Sequence, residues 1–185
     1  MEIVLSGEVG RLTASYRRAE DSEAPIAVVF HDSPERGGSM NDPVAYALFL
    51  AFANNGFSVL RFNFRGAGGS EGEFDGGEGE LADSSSVVDW LQERHEFARQ
   101  FWLAGDGFGA FVAMQMLMRR VEASNYISVC PPLKKFDFSF FQPVPVDGLV
   151  VSRGGDANGA DAFPAFVKSI NKRKTSRAEL AVIDG

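Results

Sequence analysis

Short β-branched runs alternate with apolar helical segments along the chain, and this alternation restricts the fold strongly. The run "IAVVF" at 26–30 has no polar break, as a strand buried on both faces requires. Further runs of this kind lie at 58–64, 100–105, 126–130, 146–152 and 178–184, and helices are predicted between them at 44–55, 80–93, 108–120 and 162–170. Repeated strand–helix–strand order predicts an α/β fold, with a mainly parallel sheet and helices on both faces.

The N-terminal residues depart from this order. The first residues and the stretch "GRLTASYR" at 10–17 predict an antiparallel strand pair at one edge of the sheet. A chain of 185 residues can bury most of the surface that its unfolded state exposes. No internal repeat, linker or low-complexity segment divides it, so residues 1–185 are predicted to form a single domain.

Charge and composition argue against several classes of function. A net charge of −7 and a pI near 4.9 argue against nucleic-acid binding, which requires a basic surface. The longest apolar stretch, at 45–53, is about half the length that a membrane-spanning helix needs. The N-terminal residues lack the pattern of a signal peptide, and the single cysteine, Cys130, rules out an internal disulfide. We therefore expect a soluble protein of the cytoplasm or an equivalent reducing matrix.

Residues 104–110 read "AGDGFGA" and fit two different turns. As Gly105-x-Gly107-x-x-Ala110 they match the turn G-x-G-x-x-A, which places a dinucleotide pyrophosphate at a helix N-terminus. As Gly105-x-Gly107-x-Gly109 they match the nucleophile elbow G-x-S-x-G, with glycine in place of the serine. The first interpretation implies a cofactor, and the second implies a hydrolase scaffold without its nucleophile.

The surrounding sequence argues against the dinucleotide interpretation. A dinucleotide turn opens the first strand–helix–strand unit and is followed by an acidic residue at the end of the next strand. Here two such units precede the turn, and the next strand ends in Cys130-Pro131-Pro132. We therefore expect no nucleotide cofactor. The two histidines, His31 and His95, are far apart in the sequence, so we expect no metal site either.

Three further stretches resemble one family. "FHDSPERGGSM" (30–40) resembles the loop H-P-H-P-x-x-G-G-x-M, and "CPPLKKFDFSFF" (130–141) resembles A-P-P…Y-D-F-S-F. "RFNFRGAGGSEGEFDGGEGELAD" (61–83) is close to N-F-R-G-x-G-x-S-E-G-x-F-D-x-G-x-G-E-x-x-D at nearly every position. These are patterns of the small, capless, dienelactone-hydrolase-like bacterial members of the α/β-hydrolase superfamily. The resemblance covers essentially the whole chain and implies the α/β-hydrolase fold.

Carried over position by position, the resemblance implies that the catalytic triad is lost. Gly107 occupies the position of the nucleophilic serine. Asn158 occupies the position of the acid, in the segment G-D-A-N at 155–158. The general-base histidine of the family follows the last strand, and we expect none here because the sequence reaches Gly185 without it.

The resemblance also implies an oxyanion hole, of which part is kept. Its first donor would be the Phe108 N–H, at the N-terminus of a buried helix. The second would come from the loop that begins at His31, where Asp32 and Ser33 replace the Pro and His of the pattern. An aspartate there would repel a developing oxyanion. With Asp106 these residues form the expected vestigial pocket, in which His31 has a structural or loop-positioning role.

Other residues are weak substitutes for the missing nucleophile. Asp106 directly precedes the vacant position, but side chains at adjacent positions of an elbow diverge, so it is expected to point away from the pocket. Cys130 is expected to be a buried small hydrophobe. His95 follows a predicted surface helix and is expected to be solvated.

Three functions remain open. The first is a non-catalytic α/β-hydrolase-like protein, a pseudoenzyme that serves as a binding or structural subunit of a larger assembly with protein partners. The second is an esterase-like serine hydrolase whose chain is truncated or altered in this sequence. The third is a small-molecule binder that uses the vacant elbow and the Phe108 N–H.

Overall fold

Eight strands form one sheet within the residues that the computed structural model describes, which are 1–153, 158, 161–172 and 176–183. The strands are β1 (Glu2–Ser6), β2 (Arg11–Arg17), β3 (Ile26–Phe30), β4 (Ser58–Phe62), β5 (Phe101–Asp106), β6 (Asn125–Val129), β7 (Asp147–Arg153) and β8 (Ala178–Ile183). The α-helices of the same residues are α1 (Pro43–Asn54), α2 (Glu78–Arg94), α3 (Phe108–Leu117) and α4 (Ala162–Ile170). None of these helices is long and apolar enough to cross a membrane.

The order of strands across the sheet is β1-β2-β4-β3-β5-β6-β7-β8. β1 pairs with β2, and β2 with β4, in antiparallel register, with Leu5 opposite Leu12 and Ala14 opposite Phe62. All pairs from β4 to β8 are parallel. The predicted α/β fold is therefore confirmed, including the antiparallel strands at the N-terminal edge.

The central strand β3 contributes to a core on each face of the sheet. Val28 and Phe30 belong to the larger core, together with apolar residues of α2, α3 and α4. Ala27 and Val29 belong to a smaller core under α1, which includes Phe49. Because both faces are covered, "IAVVF" has no polar position, which is the reason for the unbroken apolar run in the sequence.

The predicted helices and strands are present, and their ends differ from the prediction by a few residues. α3 ends at Leu117, three residues before the predicted end. There the N–H groups of Arg119 and Arg120 both donate to the Met116 carbonyl at 2.9 Å, which tightens the chain into a turn. Arg120 also pairs with Asp89 of α2.

The prediction that His95 is solvated is wrong. His95 caps the C-terminal end of α2 and is 5 % exposed, with its Nε2 at 2.6 Å from the Tyr16 hydroxyl of β2. The Tyr16 ring also meets Trp90 of α2 edge to face, with 5.3 Å between ring centroids. The helix end therefore packs against β2 and buries the imidazole, and this burial, followed by the charge of Arg18, lowers the pKa of His95.

Candidate functional site

β5 and α3 are joined by a sharp turn with Gly107 at its apex. Gly107 has φ +54° and ψ −120°, a conformation that residues with a side chain adopt only at a cost. Its N–H donates to the Val129 carbonyl of β6 at 3.0 Å, which holds the apex against the neighbouring strand. The segment has the strand–turn–helix geometry of a nucleophile elbow.

The other two glycines of the turn are required by close backbone packing. A Cβ on Gly105 would overlap the backbone of Gly109. A Cβ on Gly109 would overlap the carbonyl oxygens of Phe30 and His31. The glycine spacing is therefore explained by the approach of α3 to β5 and to the loop after β3, without a pyrophosphate.

The carboxylate of Asp32 lies directly over the apex. Its Oδ1 accepts a hydrogen bond from the Phe108 N–H at 2.9 Å, and its Oδ2 accepts one from Arg36. A Cβ on Gly107 would overlap Oδ1. Burial alone would raise the pKa of Asp32, but the hydrogen bonds from Arg36 and from the Phe108 N–H outweigh it and hold the pKa below its ordinary value. The Asp32 carboxylate thus fills the space above the apex and is hydrogen-bonded to the Phe108 N–H, the expected oxyanion donor.

His31 is fully buried, and both of its ring nitrogens are engaged. The Phe64 N–H donates to Nε2 at 3.0 Å, so Nδ1 carries the proton and donates to the Asp32 carbonyl at 2.5 Å. Burial lowers the pKa of His31 to about 4. The imidazole is therefore neutral near pH 7 and fixes the backbone that presents the Asp32 carboxylate.

Asp106, which the resemblance places among the residues of the vestigial pocket, lines the same cavity as Asp32 and Gly107. The cavity extends from the elbow over the carboxyl ends of β6 and β7. Asp106, the last residue of β5, is part of its lining. Burial, followed by the charge of Asp32, raises the pKa of Asp106 to about 6. Arg153 opposes this rise.

This cavity has a volume of about 290 Å³ and carries more basic than acidic side chains. The acidic groups among its described lining residues are Asp32 and Asp106. The basic groups are Arg36, Lys134, Lys135 and Arg153. The sequence reasoning missed all four basic residues, although each of them ends or follows a strand of the parallel sheet, and the carboxyl ends of such strands meet at one edge.

Asn158 is buried and holds the loop that follows β6. Its Oδ1 accepts a hydrogen bond from the Lys134 N–H at 3.2 Å, and its Nδ2 donates to the Pro131 carbonyl at 3.1 Å. An ionised aspartate has no N–H and could not make the second bond. The side-chain amide of Asn158 therefore holds this loop in place, at the position where the resemblance implies an acid. The rest of the segment 155–158 lies outside the described residues.

Cys130 also lines the cavity and is 8 % exposed, in agreement with the expectation of a buried residue. It follows β6 with φ +43°, and its N–H donates to the Val151 carbonyl at 2.8 Å. Within the described part of the chain, no three His, Cys, Asp or Glu side chains are grouped as metal ligands would be. The site therefore offers charge and hydrogen bonds but no metal-binding set among those residues.

Comparison with known proteins identifies the superfamily. Residues 10–143 match the model of the X-Pro dipeptidyl-peptidase (S15) family. The uncharacterized protein RP471 of Rickettsia prowazekii (strain Madrid E) is 37 % identical over 189 residues, which cover 100 % of this chain and 79 % of that protein.

Solved structures give the same result. ATU1826 of Agrobacterium tumefaciens, a protein of unknown function, is 38 % identical with a TM-score of 0.95, over 100 % of this chain and 85 % of that chain. XC6422 of Xanthomonas campestris, an α/β serine hydrolase without a lid, is 30 % identical with a TM-score of 0.87, over 100 % and 83 % of the two chains. A serine hydrolase homologue from Coxiella burnetii is 29 % identical with a TM-score of 0.89, over 100 % and 87 %. The chain therefore belongs to the α/β-hydrolase superfamily, in the family that the S15 model describes.

Proposed function

We propose that the chain is a non-catalytic α/β-hydrolase-like protein that acts by binding, as a subunit of a larger assembly. The observation that carries this proposal is the position of the Asp32 carboxylate. It fills the space above Gly107 and accepts the Phe108 N–H, the donor that would stabilise a tetrahedral intermediate. Because its pKa is low, it is ionised near pH 7 and would repel a developing oxyanion.

The histidine nearest to the elbow does not act as a general base. A base must accept a proton from the nucleophile through a free ring nitrogen. The Nε2 of His31 already accepts the Phe64 N–H, and Nδ1 carries the proton that bonds the Asp32 carbonyl. His31 therefore supports the loop and is not available for proton transfer.

A second candidate, an esterase-like serine hydrolase, is favoured by the relatives. The similar proteins from Coxiella burnetii and Xanthomonas campestris are named as serine hydrolases or their homologues. A third candidate, a small-molecule binder, is favoured by the charged cavity over the elbow. Ester hydrolysis distinguishes the second candidate from the other two.

We expect no hydrolysis of p-nitrophenyl acetate or butyrate above a heat-inactivated control, in the unmodified protein and in two variants. Gly107→Ser restores a hydroxyl, and the double variant Gly107→Ser with Asp32→Ala also removes the carboxylate that this side chain would overlap. Neither change supplies a general base, so the hydroxyl stays a weak nucleophile. Release of p-nitrophenolate measures the result.

The matched control is Gly107→Ala with Asp32→Ala, which relieves the same overlap without adding a hydroxyl. Circular dichroism of each variant establishes that it is folded, because a side chain at φ +54° is strained. Turnover by the unmodified protein would refute the proposal. Turnover by the serine double variant, but not by its alanine counterpart, would show that the chain supplies a base and would support the serine hydrolase instead.

A further inference from the structure

We infer that the cavity over Gly107 binds a small organic monoanion, specifically a carboxylate. This inference rests on the non-catalytic part of the proposed function, because a catalytic site would hold a reacting ester there. The chain as a whole carries a net charge of −7, yet four of the six acidic or basic side chains described around this cavity are basic. A local excess of positive charge on an acidic protein creates a positive electrostatic potential at that place, which attracts anions.

The basic groups are only partly neutralised by neighbouring acids. Arg36 is bound to Asp32, and Lys135 lies 3.6 Å from Glu35 with both side chains well exposed, where pairing is weak. The Arg153 side chain forms no hydrogen bond or ion pair with another described residue, and its charge acts on Asp106. Positive charge therefore remains at the end of β7 for a ligand.

The two acidic groups favour a monoanion over a dianion. Asp32 is ionised, and Asp106 is negative whenever the pH is well above about 6. Arg36 and Lys135 already have acidic neighbours, so Arg153 offers charge for one anionic group. A second negative charge on the ligand would meet the repulsion of Asp32 and Asp106, so a carboxylate suits the site better than a phosphate dianion. The volume of about 290 Å³ lies at the lower end of ligand pockets, which limits the ligand to a small molecule.

Asp106 gives the site a pH dependence that a fortuitous surface interaction would lack. The charged groups that act on it are Asp32, Asp42, Arg36 and Arg153. Protonation of Asp106 removes a negative charge next to the ligand, so the affinity for a carboxylate is expected to increase as the pH falls through about 6. Without the Asp106 carboxylate, this increase should disappear.

The experiment uses benzoate as the probe, with inorganic phosphate for comparison, by titration calorimetry and thermal shift at millimolar concentrations. Benzoate is expected to bind and to stabilise the unmodified protein. Arg153→Met should weaken benzoate about tenfold, because a charged hydrogen bond is lost. Arg119→Met, which removes an exposed arginine of the α3 end, should leave the affinity unchanged. Asp106→Asn should bind benzoate with the same affinity on both sides of pH 6.

Three results would overturn the inference: no benzoate binding by the unmodified protein, tighter binding of phosphate than of benzoate, or equal losses in the Arg153 and Arg119 variants. Ester hydrolysis is measured on the same preparations. Absence of benzoate binding without turnover refutes the carboxylate site and leaves the proposed function standing. Turnover refutes the proposed function itself, so the two failures can be told apart.

Discussion

Replacing Asp83 with asparagine is expected to lower the free energy of unfolding by about 3 kcal/mol, because it removes one partner of a buried ion pair. The Asp83 side chain is fully buried, and its Oδ2 lies 2.7 Å from Nε of Arg65, which is itself only 7 % exposed. This hydrogen bond is the main reason that the pKa of Arg65 is raised. Asparagine has the same shape and its Oδ1 can still accept the Glu8 N–H, but its Nδ2 would then face the Nε–H of Arg65, so the change removes both the charge and this hydrogen bond.

The remaining partners of Arg65 compensate only in part. Glu8 and Asp75 lie 3.3 and 3.7 Å from its guanidinium and are both substantially exposed. A buried guanidinium without its closest counter-ion is costly, whereas weakly held, solvated carboxylates contribute little. Urea denaturation at neutral pH measures the difference between the variant and the unmodified protein.

Asp89→Asn is the matched control. Asp89 lies at the same distance, 2.7 Å, from Arg120, but the Asp89 side chain is 52 % exposed. Its replacement should change the free energy of unfolding by less than about 1 kcal/mol. Equal effects of the two substitutions would contradict the argument, since burial is the feature that separates the pairs.

The Asp83 pair matters for the site because Arg65 begins the loop at 65–77. Phe74 of this loop packs on Phe108 edge to face, with 5.1 Å between ring centroids. Phe108 supplies the N–H that holds the Asp32 carboxylate. The ion pair thus supports the loop whose Phe74 packs against the elbow.

Much of the fold was predictable because its signals are local. An unbroken apolar strand such as 26–30, and the alternation of such strands with apolar helical segments, each follow from a few neighbouring residues. The elbow was also predictable, since Gly105, Gly107 and Gly109 satisfy packing demands within one turn. Strand and helix ends were less predictable because they depend on hydrogen bonds such as those at Met116.

The electrostatics of the site was not predictable, because its groups come from distant parts of the chain. The Asp32 carboxylate meets the Phe108 N–H across 76 positions of sequence. The sequence predicts that Asp32 lies near the oxyanion position. It does not show that the Asp32 carboxylate itself accepts the hydrogen bond of the Phe108 N–H, the expected oxyanion donor. The burial of His95 likewise depends on Tyr16, 79 positions away.

Three of the site residues have a structural role. Gly107 makes room for the Asp32 carboxylate. Asn158 both accepts and donates, as a clamp on the loop after β6 requires. His31 orients the backbone of Asp32. Each of these roles can be tested through stability rather than turnover, and His31 allows the clearest test.

Acid is expected to destabilise the protein through His31 between pH 6.5 and about pH 4. The ordinary pKa of 6.5 applies to the unfolded chain, while burial lowers the folded pKa to about 4. Below pH 6.5 the unfolded state therefore binds a proton at His31 that the folded state does not bind, so the free energy of unfolding falls until the pH reaches the folded pKa. The loss amounts to about 3 kcal/mol, because each tenfold difference in proton affinity is worth about 1.4 kcal/mol.

Two buried carboxyls act in the opposite direction, so the measurement must be a difference between variants. The folded pKa is raised to about 7 for Glu80 and to about 6 for Asp106, and such groups stabilise the protein at low pH and lose that contribution as the pH rises. His31→Gln keeps an oxygen that can accept the Phe64 N–H but does not titrate. Its unfolding free energy, subtracted from that of the unmodified protein at each pH, should give a difference that shrinks by about 3 kcal/mol from pH 6.5 to pH 4. A difference independent of pH would show that His31 is open to protonation, and the structural role that excludes it as a catalytic base would then be wrong.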